Sequence, residues 1–114
     1  MYIVVATNIY GIDEAPAICE KEEQLTTAMR YFMVYGIANQ KPEIIEDFCS
    51  ENDIVKFYCL DELEEIGYTD KFFEYIASKY DAEIGYSTMK IRFSSYEGDV
   101  YEVNCWDEES IFHF

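Results

Sequence analysis

Positive charge is what this chain has least of. Its 114 residues carry eight Lys and Arg against 24 Asp and Glu, a formal net charge of −16. That shortage argues against direct nucleic-acid binding, whose affinity is dominated by phosphate contacts from clustered Lys and Arg; here the eight cations are dispersed. Anionic membranes are repelled for the same reason. Histidine is nearly missing too. The one present, His113, sits one residue from the last, where the ordered partner a general base needs is not expected. The five glycines, Gly11, Gly36, Gly67, Gly85 and Gly98, stand singly, so no loop cradles a phosphate. No GxSxG, HExxH, P-loop or Rossmann fingerprint is present. The four cysteines, Cys19, Cys49, Cys59 and Cys105, form no CxxC pair, which argues against a zinc ribbon or a thioredoxin-like site. No apolar run approaches the roughly 20 residues of a membrane span. The stretch from Met1 to Thr7 is apolar but short, has no basic lead-in, and reads as a strand rather than a signal peptide. A cytoplasmic location and four reduced, buried thiols are therefore expected, with Cys19, Cys59 and Cys105 inside strands.

What is present is a core. Half of the residues are hydrophobic and 18% aromatic, with eleven Tyr and eight Phe. Acidic disordered tails are poor in such residues. The length suits a single compact acidic α+β domain over 1–114.

Residues 2–7 are apolar on both faces and predict a central strand. A turn over 8–14 around Gly11, ended by Pro16, leads to a returning strand at 17–20. Leu25, Met29, Phe32 and Gly36 recur at helical spacing behind Glu20, Glu22 and Glu23, predicting a helix over 21–36 that stops at Gly36. Pro42 opens a second helix with Ile44, Ile45, Phe48 and Cys49 inward. Ile54 to Leu60 reads as a strand, 61–66 as a short helix closed by Gly67, and 69–80 as a helix capped by Thr69 with Phe72, Phe73 and Ile76 on one face. At 86–94 and 99–106, Met89, Ile91 and Phe93 alternate with Lys90 and Arg92, and Tyr101, Val103 and Cys105 with Glu102 and Asn104. That is a hairpin around 95–99, with Lys90 and Arg92 opposite Glu102 as a cross-strand ion pair. The expected architecture is a mainly antiparallel sheet of four or five strands, built from 2–7, 54–60, 86–94 and 99–106, with two or three helices on one face. Its core is Val4, Leu25, Met29, Phe32, Phe73, Ile76, Ile91, Phe93 and Val103.

Acid runs recur at 13–14, 20–23, 43–47, 61–65, 97–102 and 107–109. Solubility is served by a net charge of about 2–8, so the excess calls for a use. Neither 61–65 nor 107–109 fits an EF-hand loop. Acidic pairs are too abundant here to single out a two-carboxylate hydrolase site, so no catalytic residue, metal or cofactor is expected. Carboxylates at i and i+2 on a strand lie about 6.5 Å apart, and at i and i+4 on a helix about 6 Å, near the spacing of phosphates along a nucleic-acid strand.

Small, strongly acidic, Tyr-rich chains without a catalytic motif resemble the anti-restriction and anti-CRISPR inhibitors of phages and mobile elements, many of which mimic nucleic acid. The resemblance is one of composition over the whole chain. It implies a non-enzymatic inhibitor docking on the basic channel of a nucleic-acid-binding host defence protein; the alternative is an acidic adaptor or regulatory module without mimicry. The expected partner-binding face is the last hairpin and the tail after it, through Glu97, Asp99, Glu102, Asp107, Glu108 and Glu109, with Tyr96 and Trp106 as anchors. The cluster Asp61, Glu62, Glu64 and Glu65 is the second choice.

Overall fold

The structure is a computed structural model that describes residues 1–8, 16–93 and 100–107, and the backbone of 11–12. The turn expected at 95–99 lies outside the described residues. The fold is α+β. Strands β1 (Tyr2–Asn8), β2 (Gly11–Ile12) and β3 (Ala17–Cys19) come first; then helices α1 (Leu25–Gln40), α2 (Pro42–Asn52), α3 (Leu60–Glu65) and α4 (Thr69–Lys79); then β4 (Asp81–Ile84), β5 (Thr88–Arg92) and β6 (Val100–Asp107). The sheet runs β2–β1–β6–β5–β4, with β3 also paired to β1, and every pairing is antiparallel.

Register sorts the side chains. Val4, Ala6, Met89, Ile91, Tyr101 and Val103 alternate onto one face and are buried. Helix α1 lies against β1, β5 and β6 on that face, α4 against β4, while α2 and α3 pack on α1. Ile3, Val5, Lys90, Arg92, Glu102 and Asn104 alternate onto the other face and are only half-buried. Met29, Phe32, Phe73 and Ile76 join the buried cluster as expected, whereas Leu25 and Phe93 are half-buried at its margin.

Local chemistry sets the helix ends. A 3₁₀ turn at Glu22–Gln24 leads into α1, and the Gln24 side-chain oxygen accepts from the backbone N–H of Glu20 and Lys21 at 3.0 and 3.2 Å. Pro42 occupies the first turn of α2, and Asp53, with φ 53°, ends it. Gly67 (φ 77°) ends α3 and donates to the Glu64 carbonyl at 3.0 Å.

Four expectations are corrected. The segment 54–60 is not a strand: Phe57, Leu60 and Leu63 are buried while Val55, Lys56 and Tyr58 are exposed. Its apolar residues fall at a period of three, so it anchors to the helical layer as a connector, and Cys59 becomes the residue before α3. A strand instead forms at Asp81–Ile84, where tertiary pairing with β5 overrides the weak β-preference of Asp, Ala and Glu. Gly36 does not stop α1. The helix runs on to Gln40, and the glycine serves as the point of closest approach to the Tyr101 ring on β6. Finally, Lys90 does face Glu102 in register, but Arg92 pairs with Asp81 at 3.1 Å, and Glu102 accepts from the Asn104 amide at 3.2 Å.

Candidate functional site

The first-choice surface is only partly within view. Tyr96, Glu97, Asp99, Glu108 and Glu109 lie outside the described residues, as does His113. Of the remainder, Glu102 and Trp106 project from β6 onto the open face of the sheet, four residues apart, and Asp107 takes the opposite parity. Strand geometry puts Glu102 and Trp106 about 13 Å apart. Glu102 is half-buried, faces Lys90 across β5 and is hydrogen-bonded by Asn104. Half-buried, opposite a Lys and engaged by Asn104, it is a weak stand-in for a phosphate.

The second-choice cluster is better presented. Asp61, Glu62, Glu64 and Glu65 are all exposed, while Leu60 and Leu63 of the same short helix are fully buried. Those two leucines fix the helix against α1 and α4, so the acids above them are held in place rather than trailing from a loop. Asp61 neighbours Glu64 and Glu65, and Glu62 neighbours Glu65, at the roughly 5–6 Å of adjacent helical turns. Among the described residues no Lys or Arg forms an ion pair with any of the four; several cations are engaged elsewhere. Arg30 pairs with Asp70 at 3.3 Å, Lys56 with Glu46 at 2.8 Å, and Lys79 with Glu51 at 2.8 Å. The carboxylate hydrogen bonds push the ammonium groups of Lys56 and Lys79 above their usual range, so both remain charged and occupied. Tyr58, 62% exposed, and Ile66, 37% exposed, flank the acids. Sequence reading missed both as candidate anchors. For Tyr58 the signal was available: it lies outside the period-three pattern of Phe57, Leu60 and Leu63.

The thiols divide by location. Cys19 and Cys49 are buried, and Cys59 and Cys105 half-buried, all free. Burial pushes the Cys49 and Cys105 thiols up, away from the nucleophilic thiolate. The expectation that all four are fully buried therefore fails for Cys59 and Cys105, and Cys59 lies outside a strand because 54–60 is not one. Among the described residues no three His, Cys, Asp or Glu side chains gather as a metal cage. No helix among them is long and apolar enough to cross a membrane.

A second surface was not anticipated from sequence. Between β3 and the first half of α1 lies a cleft of about 530 Å³, lined by Ala17, Ile18, Cys19, Thr27, Ala28 and Tyr31, among others. Ile18 is 66% and Tyr31 45% exposed. No family model matches this chain, and no curated protein or solved structure matches it either.

Proposed function

We propose that this protein is a non-enzymatic, acidic protein-binding inhibitor of the anti-CRISPR or anti-restriction kind, which occupies a basic nucleic-acid-binding surface of a host defence protein. The observation that carries the reading is the α3 array: four exposed carboxylates at helical spacing, held by two buried leucines, with no Lys or Arg paired to them among the described residues. A rigid array costs less to order on binding than a loose one. The long-range field of a −16 chain steers it towards a cationic partner. Exposed Tyr58 and Ile66 beside the acids supply contact area that charge alone does not. Glu102 and Trp106 lie on the open face of the sheet, away from the helical layer that carries α3, and Lys90 opposite Glu102 reduces the net charge there. They are a separate surface, secondary to α3, for the same kind of partner.

The test is affinity capture from host lysate at low salt, with elution by added nucleic acid. The expected partner is a nucleic-acid-binding protein, released by DNA or RNA and lost steeply as salt rises. The triple variant Asp61→Lys, Glu62→Lys, Glu65→Lys should fold normally and fail to capture it, because like charges then face one another across the interface. Recovery only of partners that do not bind nucleic acid, with mild salt dependence, would favour the adaptor reading instead. The apolar cleft beside β3 is the observation on that side.

A further inference from the structure

The β3 edge brings together three features that no other part of the described chain combines. It is an edge strand: Ala17–Cys19 pairs with β1 on one side, and among the described residues no strand pairs with the other. An apolar cleft runs alongside it, walled by Thr27, Ala28 and Tyr31 of α1. Acid stands at one end of that cleft, where Glu23 lines it, and the turn from β3 to α1 that carries Glu23 also holds exposed Glu20 and Glu22 against Lys21.

We infer that this edge docks an extended, basic-and-apolar segment of a partner protein, which adds to the sheet beside β3 and lays alternate side chains into the cleft. A strand added there satisfies the outward backbone groups of β3, the main source of affinity in strand addition. Side chains of one parity meet Ala28 and Tyr31 in the cleft. Those of the other parity lie beside Ile18 at the end of the row that register forms on the open face, Trp106–Ile3–Ile18, where the stems of Lys or Arg cover it while their charged ends stay in water. Lys or Arg in the segment reach the acids at the turn. A second copy of this chain satisfies the backbone equally well, but it would bring another charge of −16 to the same place. Charge therefore selects a cationic occupant over self-association. Docking at this edge does not depend on how the α3 acids are used.

The probe is a capped heptapeptide of alternating Lys and Val, titrated at about 0.15 M salt to limit unspecific attraction and followed by backbone amide NMR. The shifts should centre on Ala17, Ile18 and Cys19 and on 27–31 of α1. Two controls separate strand addition from simple attraction. Peptides N-methylated on alternate amides keep every charge and side chain but lose one hydrogen-bonding edge; methylation of the edge that faces β3 should weaken binding roughly tenfold or more. Thr27→Trp, at an exposed helical position, fills the cleft and should weaken binding to a similar extent. The α3 triple variant should bind the peptide within about twofold of the parent, which keeps this test apart from the proposed function. The inference is overturned by equal binding of both methylated peptides, by indifference to Thr27→Trp, by loss of binding in the α3 variant alone, or by no shifts at millimolar peptide. A dimer in sedimentation that Ile18→Lys dissolves would assign the edge to a second copy instead.

Discussion

At the β4 edge of the sheet, Asp81 and Glu83 are exposed and Arg92 of the neighbouring strand reaches out to Asp81 at 3.1 Å. At the β3 edge the exposed side chain is Ile18, and an open apolar cleft lies alongside the strand. An open strand edge is a template for pairing with another chain, and charged side chains are a common way of blunting it. The β4 edge is blunted in this way. The β3 edge is kept to three residues and follows Pro16, which limits pairing, yet it presents apolar surface. In a chain so rich in acid, placing an isoleucine and a tyrosine where carboxylates would serve solubility distinguishes the two edges as closed and receptive.

The comparison breaks most completely at Gly36. A Cβ there would fall inside the buried Tyr101 ring, against Cζ, Cε1 and Cε2, and the ring is fully enclosed. Alanine in a helix interior is ordinarily favoured over glycine by about 1 kcal/mol. Here the overlap reverses the sign, and Gly36→Ala should cost about 1–3 kcal/mol, read as a lower urea midpoint. Because α1 forms the wall of the cleft, the β3 edge should lose amide protection before β4, which α4 also holds. In a Tyr101→Leu background the added cost of Gly36→Ala should largely vanish, while in Tyr101→Phe it should persist. Equal cost in both backgrounds would mean that the ring is not the obstacle.

The contrast sharpens when the closed edge is opened. Asp81→Val with Glu83→Val removes the exposed charges of β4 and the Arg92 ion pair, a surface contact worth about 0–1 kcal/mol. Thermal stability should change little. Association should rise, seen as concentration-dependent sedimentation and loss of monomer as salt screens the remaining negative charge, because an unblunted edge then meets others like it. A double variant as monodisperse as the parent would show that the acids are not what keeps this edge single.

Much of the fold was legible from sequence where the period was long and uniform. The two-sided apolar run of β1, the Met29–Phe32 stripe of α1, the Phe73–Ile76 face of α4 and the alternation of β5 and β6 each specify an element and its buried side. The failures are local and have physical causes. Ile54–Leu60 has strand-like composition, but Phe57, Leu60 and Leu63 fix it to the helices at a period of three. Asp81–Ile84 has poor strand composition and is held by its neighbour. Gly36 carries the composition of a stop and the role of a contact, which only the position of Tyr101 reveals. The candidate surfaces were less legible still. Acid runs can be counted, and the alternation of β5 and β6 places Lys90 opposite Glu102, but that no Lys or Arg among the described residues pairs with Asp61 is a matter of tertiary placement. The cleft joins residues 17–19 to 27–31 through a strand of only three residues.

The smallest expected effect lies at the junction that supports the closed edge. Tyr80 follows α4 and precedes β4, is half-buried, and packs against Tyr75 with ring centroids 5.9 Å apart. Burial is the main reason its hydroxyl is pushed up to about 12, with the neighbouring Tyr75 hydroxyl and Asp47 adding to it. Ionisation gives a tyrosine an anion, so a raised value means that the folded state resists ionisation that the unfolded chain, near pH 10, accepts. The unfolded state therefore loses its proton first, and stability is full below about pH 10 and falls as pH rises towards about 12. Lys79 acts in the same direction: its bond to Glu51 raises the ammonium, and the stability it contributes below its ordinary range is lost as it deprotonates. Cys49 and Cys105, raised by burial, add a slope that begins lower, above the ordinary thiol value of 9.0. Tyr80→Phe keeps the ring and removes the titration. Its stability should match the parent near pH 8 to within about 0.5 kcal/mol and decline less steeply between about pH 10 and 12. Hydrogen exchange should show β4 loosening before β3 in the parent over that interval, with the difference reduced in the variant. An unchanged alkaline slope in Tyr80→Phe would assign the whole effect to Lys79 and the thiols of Cys49 and Cys105.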